Sequence, residues 1–571
     1  MQKRWVESEV GAVHALAQLQ QTLNIDHVLA LLLIKRGINT FEEARCFFRP
    51  DLNALHDPFL MADMGKAILR IEKAIAENEK ILIYGDYDVD GTTSVALVFS
   101  FFKKLHPAID FYIPDRYTEG YGISTKGIDY AAQNNFSLVI ALDCGIKSLD
   151  KIAYANQQNI DFIICDHHLP GDELPAAVAV LDPKRSDCNY PYKELSGCGI
   201  GFKLVQAWCQ KNKIPIENIL CYMDLVAVSI ASDIVPITGE NRVLAWHGLK
   251  RLNTEPCKGL SALIDIAGKK DNYTIMDVVF MIGPRINAAG RIDDAKHSVN
   301  LLIAEDDAYA YEKGQVINQK NTERKFHDSS ITEQALALID NDPELINRKT
   351  TVVYDSNWHK GVIGIVASRL TEKYYRPTIV LTESNGHVAG SARSVTGFDL
   401  YEALSSCSNL LEQFGGHKYA AGLTMKAENI AAFQQKFEEV VAASIPAELL
   451  IQSISIDAEL KFRDINPKFF RILNQFAPFG PQNMSPVFLS RNVKILGQAT
   501  GVGINHLKMC AYHDDSSRFD CIGFSMGEFL PHLNTGAAFD MCYTIEENVY
   551  KDKRTMQLNI KGIRFNSPAT V

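Results

Sequence analysis

ILIYGDYDVDGTTS, residues 81–94, decides how this chain reads. Ile81 to Tyr84 form a short apolar run of the kind that makes a strand buried on both faces, and Asp86, Asp88 and Asp90 then stand at alternate positions before Gly91. Like charges held that close repel, and burial makes each harder to ionise, so three carboxylates on a strand tip imply a cation among them.

The same design repeats. Apolar runs at 109–113, 138–142, 161–165 and 178–181 are separated by helix-length spacers. This is the pattern of βαβ units and of a parallel sheet covered on both faces. Three of these runs also end in acid or histidine: DCG at 143–145, DHH at 166–168 and LDP at 181–183. In an open parallel sheet the crevice at the carboxyl ends of the strands is where ligands bind, so separate strands deliver their acids to one place. Aspartates with one or two imidazoles and no thiolate suit Mn²⁺ or Mg²⁺ better than structural zinc. Two such ions roughly 3.5–4 Å apart activate a water and stabilise the leaving oxygen of a phosphate ester, which makes phosphoester hydrolysis the expected chemistry. A lone DxD is usually an ordinary loop and a lone His-His a surface pair; four acidic tips in one sheet carry the reading.

At 571 residues and 47% hydrophobic, the chain has material for three or four domains. No apolar run approaches the ~18 residues of a membrane span, and Glu7 and Glu9 stand where a signal peptide would need an apolar core. The cytoplasm is the expected compartment. Twelve cysteines without a CxxC pair suggest neither a zinc ribbon nor a disulfide framework. The net charge of −10 leaves the partner undecided, because a carboxylate-rich site can coexist with one basic channel. The fold class is α/β. The expected divisions are a helical extension over 1–50, a parallel-sheet domain over 51–304, a connector helix over 305–342, a smaller α/β domain over 343–448, and a β-barrel of the oligonucleotide-binding kind over 449–571.

Quoted in order, GDYDVDGTTS, DCG, DHH and SDIVP (232–236) resemble the DHH phosphoesterase superfamily, and their wording resembles the RecJ single-strand-specific 5′→3′ DNA exonucleases. GPRINAAGR (283–291), WHKGVIGIVASRL (358–370), GSARS (390–394) and FGGHKYAAG (414–422) extend the match, the last resembling the DHHA1 companion domain, and the C-terminal region resembles the RecJ OB fold. The resemblance implies Asp86, Asp88, Asp90, Asp143, His167 and Asp233 as metal ligands, Asp143 bridging. It gives His168 a role on the scissile phosphate or as a further ligand, although strand alternation would point it away from His167. Asp166 is placed behind an imidazole, fixing its tautomer. Tyr84 stands where small pyrophosphatases of the superfamily carry a liganding histidine.

In the second α/β domain Arg393 sits between small residues, able to meet phosphate oxygens with Ser391 beside it; FGGHKYAAG either brings the backbone near a ligand at Gly415 and Gly416 and presents His417 to the substrate, the reading the resemblance favours, or is a Gly-rich turn. By resemblance Ser391, Arg393 and Arg116 hold a 5′-phosphate. Arg285, Asn287 and Arg291, read on a Gly-flanked loop, either contact the strand or brace a domain interface. Lys313, Lys320, Arg324, Lys325 and His327 of the connector either line the channel or form a solvated face, and Tyr112 and Tyr121 either stack on bases or pack. The expected activity is two-metal hydrolysis of single-stranded DNA to mononucleotides, in repair and recombination. The expected enzyme is a monomer working beside single-strand-binding protein and a RecQ-type helicase. The rivals are a phosphodiesterase of short or cyclic oligonucleotides and a non-catalytic scaffold.

Overall fold

The structure, a computed structural model, describes residues 3–7, 13–268, 272–384, 386–513, 517–551 and 553–565; residues 1, 2 and 8–12 of the expected helical extension lie outside this set. The chain forms two compact units, one of residues 56–235 and 247–452, the other of 1–55, 236–246 and 453–571.

The larger unit is built on a five-stranded parallel sheet, with β1 Lys80–Gly85, β2 Ile109–Tyr112, β3 Phe136–Leu142, β4 Asp161–Cys165 and β5 Ala179–Leu181 in the order β2-β1-β3-β4-β5. Four of the runs are buried on both faces, as their apolar character requires, while β2 at the sheet edge exposes Asp110. In this order the chain switches sides between β1 and β3, and the crevice at such a switch point is where doubly wound sheets take their ligands. Asp88 caps α1, Val89–Lys103, by accepting from the Gly91 N–H at 3.0 Å, so the acidic motif is also the turn that starts a helix.

GPRINAAGR is a helix rather than the expected loop: α2 spans Gly283–Ile292. Proline is tolerated in a first turn, where its missing N–H costs nothing. The connector, α3 Asp307–Asp340, is capped by Asp306 and buries a single stripe: Ala310, Gly314, Ile317, Asn321, Arg324, Asp328, Ile331, Ala335 and Ile339. The centre of the stripe is polar and self-paired. Arg324 donates to Asn321 at 2.8 Å, and Asp328 holds Arg369 at 2.6 Å.

A second, mixed sheet follows: β6 Thr351–Tyr354, β7 Thr378–Ser384, β8 His387–Arg393, β9 Gln413–His417 and β10 Ala420–Met425, in the order β9-β10-β8-β7-β6. FGGHKYAAG is neither a free ligand loop nor an isolated turn but most of the β9–β10 hairpin, in which Gly415 pairs with Gly422.

In the smaller unit, β11 Phe488–Val502, β12 His506–Tyr512, β13 Arg518–Gly523, β14 Phe539–Tyr550 and β15 Lys553–Phe565 close a barrel, because β11 pairs with β14 as well as β12. Its core is continuous with the N-terminal helices. Leu29 to Ile34 of the apolar helix His27–Ile34 lie in one cluster with Phe462, Phe476, Phe488 and Tyr543. Arg242, 5% exposed, donates to the carbonyls of Phe47, Gln475, Phe476, Ala477 and Pro478 and lies 3.7 Å over the Phe47 ring. Replacing it with alanine strands buried acceptors, so Arg242→Ala is expected to cost this unit roughly 2–4 kcal/mol in denaturant unfolding. An unchanged midpoint would show those carbonyls to be satisfied without it.

Candidate metal centre

Asp86 and Asp88 follow β1, Asp143 follows β3, and Asp166, His167 and His168 follow β4, so the three motifs meet at the switch point. Asp143 takes a left-handed backbone (φ 59°), its N–H held at 2.8 Å by the Cys165 carbonyl. Beside it starts the helix Gly197–Lys211. A Cβ on Gly197 would stand 2.7 Å from that of Asp143, so only glycine fits there.

His167 is the hub. Its Nε2 lies 3.1 Å from Asp143 Oδ1, 3.5 Å from Asp233 Oδ2 and 3.8 Å from Asp90 Oδ2. Two groups could hold an ion, Asp143, His167 and His168 in one and Asp90, His167 and Asp233 in the other, each with ligand atoms within 4.8 Å of one another. His168 therefore joins its neighbour instead of pointing away from it. The strand ends at Cys165, and alternation no longer governs residues beyond it.

Hydrogen bonds sort the acids into two kinds. Asp166 accepts from the N–H groups of Ile146, His167 and His168 and from His168 Nδ1 at 2.7 Å. Burial alone would raise its pKa, yet these donors hold it at about 2. Asp90 is similarly tied, accepting from Gly197 N, Cys198 N and Ser229 Oγ, each at 2.7 Å. The others lack such relief. Burial first, then Asp90 and Asp88, push Asp143 well above the carboxylate range; the same causes raise Asp233 to about 8; burial and Asp88 raise Asp86.

Asp86 Oδ2, Asp143 Oδ1 and both ring nitrogens of His167 are buried without a hydrogen-bond partner. Carboxylates with imidazoles and no thiolate fit a hard divalent ion. Burial favours the neutral form of His167, which is the form that ligates. Burial also works against charging His168, but Asp166 prevails and lifts it to about 9. The fourth tip stands apart. Asp182 accepts from Lys184 N at 2.7 Å and belongs to neither ligand group.

From these acids a cleft of about 1250 Å³ runs to the second sheet, lined by Asp86, Asp88, Arg116, Asn287, Arg291, Ser391 and Arg393 among others. Arg116 lies 4.1 Å over the Tyr87 ring with its Nε unpartnered. Burial, then the charges of Arg116, Arg393 and Arg324, lower Arg291 to about 9. Neighbouring cations disfavour the charged form of a buried guanidinium in this way, and Asp88 opposes them only in part.

Asn287 and Arg291 are one helical turn apart on α2 and both reach the cleft, whereas Arg285 faces away and bonds Asn318 at 3.1 Å. His417 is exposed on β9, where the charges of His168, Lys147 and Lys184 act on it after burial. The connector residues do not line the cleft: Lys320 pairs with Asp293, and His327 stacks on His359 at 5.1 Å. Tyr112 packs against Tyr84, while Tyr121 stands in the cleft and donates to the Asp143 carbonyl at 3.1 Å. Sequence reading missed Ser229, Gly197 and Lys360. The capped SGCGIG turn was the one available signal for Gly197.

A carboxyl whose folded pKa lies above its unfolded value costs stability as pH rises from the unfolded to the folded pKa. Asp233→Asn is therefore expected to stabilise the metal-free protein more at pH 8 than at pH 5, measured by denaturation in chelator. An equal effect at both values would place Asp233 outside the repelling cluster.

Residues 80–230 match the DHH family N-terminal domain, 347–443 the DHHA1 domain and 456–562 the RecJ OB domain. The single-stranded-DNA-specific exonuclease RecJ of Bacillus subtilis is 38% identical over 95% of this chain and 68% of its own length. That of Escherichia coli is 32% identical over 88% and 90%. The crystal structure of RecJ in complex with Mn²⁺ from Thermus thermophilus covers 99% of this chain and 80% of its own at 26% identity and a TM-score of 0.85, and the Mg²⁺ complex matches at 25% and 0.79. Sharing all three domains in order with relatives this similar along nearly its whole length, the chain belongs to the RecJ family.

Proposed function

We propose that this protein is a divalent-metal-dependent exonuclease that shortens single-stranded DNA from its 5′ end to mononucleotides, in repair and recombination. Its relatives carry the name single-stranded-DNA-specific exonuclease. The observation that carries the reading for this chain is the set of buried, unpartnered atoms on Asp86, Asp143 and His167. Asp86, Asp88, Asp90, Asp143, His167 and Asp233 would hold the ions, with His168 at their edge. Bound there, Mn²⁺ or Mg²⁺ supplies Lewis acidity, which makes water a nucleophile at neutral pH and offsets charge at phosphorus.

The chain's own residues do the rest. Asp166 keeps His168 oriented and protonated, so that the imidazole can donate from Nε2 to a non-bridging phosphate oxygen. Arg116, Arg291 and Arg393, with Ser391, receive the oxygens of a terminal phosphate in bidentate fashion. A 5′-phosphate held at the arginines presents the next linkage to the acids, which explains both the polarity and the single-nucleotide product. A cleft that admits one backbone excludes duplex, and the barrel adds sequence-tolerant contacts to the strand. The family resemblance further supports a cytoplasmic monomer working beside single-strand-binding protein and a RecQ-type helicase. Among the described residues no helix is long and apolar enough to cross a membrane.

Asp143→Asn is expected to lower release of mononucleotides from a 5′-labelled single strand by roughly 10³-fold in Mn²⁺; turnover near that of the parent would remove Asp143 from the reaction. Arg393→Ala should slow 5′-phosphorylated strands by about 10–100-fold while leaving 5′-hydroxyl strands nearly unchanged, the loss expected for one charge-assisted contact. Equal slowing of both would mean that Arg393 does not read the terminal phosphate.

A further inference from the structure

The helix Met223–Ser232 ends in the segment Asp233–Ile234, with Asp233 still in the right-handed region and Ile234 left-handed at φ 60°. This is the position just past a helix end where glycine normally sits, because only glycine adopts that backbone without a Cβ clash. Among the described residues Ile234 is the one β-branched residue with positive φ, and β-branching makes the conformation a true outlier. Packing does not explain it. The side chain is 64% exposed, so it contributes little to any core. A side chain that strains the backbone and buries little does not serve packing, and strain of this kind concentrates at functional sites.

Its surroundings indicate what that is. Ile234 directly follows Asp233, whose Oδ2 lies 3.5 Å from His167 Nε2, and adjacent Cα atoms are about 3.8 Å apart. Two residues upstream, Ser232 lines the cleft with an unpartnered hydroxyl. The exposed sec-butyl side chain thus directly follows a residue of the acidic cluster and lies two positions from one that lines the cleft. We infer that Ile234 is a substrate-positioning residue, its side chain packing against the apolar surface of the nucleoside attached to the phosphate being cleaved. The inference rests on the exonuclease reading above. It assigns to this one side chain the task of seating the nucleoside, while the arginines seat the phosphate.

The signature is a pair of opposite effects. In the full-length protein, Ile234→Gly and Ile234→Asn both suit a left-handed backbone, and each should raise the thermal midpoint. Each should bind Mn²⁺ with parental affinity in a titration and lose about 10- to 100-fold in kcat/KM on 5′-phosphorylated single strands, mostly through KM. Ile234→Leu, which keeps the apolar contact, should retain the parental rate. A strand with an abasic terminal nucleotide separates the two faces of the nucleoside. If the base is the contact, parent and Gly variant cleave that strand equally; if the sugar is, the Gly variant keeps its full deficit. Gly and Asn variants that cleave at the parental rate would overturn the inference. So would variants with a lowered midpoint, which would mean the side chain is there for packing, or with weakened Mn²⁺ binding, which would mean it acts through Asp233. The parent's own turnover on these strands tests the nuclease reading separately.

Discussion

Mutual repulsion among buried carboxylates governs this molecule. A doubly wound sheet brings the ends of β1, β3 and β4 together wherever its order reverses, and here those ends carry Asp86, Asp88, Asp143, His167 and His168. Acids at one site respond in opposite directions. Asp166, with four hydrogen bonds from the chain, sits at about 2, whereas Asp233 is raised to about 8. The difference is which acids the fold satisfies by itself. Asp166 is thereby part of the scaffold, and the acids left short of donors can be ionised together only with cations from outside.

The same cleft also carries the opposite charge. Arg116, Arg291 and Arg393 face one space, and burial with their mutual charge depresses Arg291 to about 9. Acids that need cations and arginines that need an anion therefore share one cleft of about 1250 Å³. A polyanion whose phosphates repeat at a fixed interval answers both needs at once. On the proposed reading, the placement of the arginines relative to the acids sets the length of the product. The cleft is built from elements of one compact unit, to which α3 adds a buried stripe with a polar centre.

Legibility in the sequence followed the range of the interactions. The strands of the first sheet were readable to within about two residues because a strand buried on both faces must be an unbroken apolar run. The acidic tips were readable because their chemistry is local. What failed was local propensity overruled by tertiary context. GPRINAAGR looked like a loop because of its glycines and proline yet is the helix that aims Asn287 and Arg291, and FGGHKYAAG looked like a ligand loop or a turn yet pairs as a hairpin. Arg324 looked solvent-facing and is buried among its partners. The left-handed Ile234 gave no signal at all, since nothing in an isoleucine announces a backbone that glycine would hold more easily.

The barrel was foreseen as a C-terminal module, but its core is not built from C-terminal residues alone. Leu29, Leu32 and Leu33 share its central cluster, Arg4–Glu7 pairs with Ser453–Ile456, and Arg242 binds the carbonyls that follow the helix Pro467–Asn474. Three distant stretches of chain must therefore be present for the unit to close over its apolar interior. Cutting the chain near residue 450 would strip the barrel core from Leu29 to Ile34 and leave the helix His27–Ile34 covered only by its N-terminal neighbours. What the barrel contributes to holding a long strand is for that reason a question for surface substitutions. Arg471, Arg518 and Arg554, which line a pocket of about 750 Å³ on this unit, are the groups whose charge can be removed with least disturbance to the core beneath.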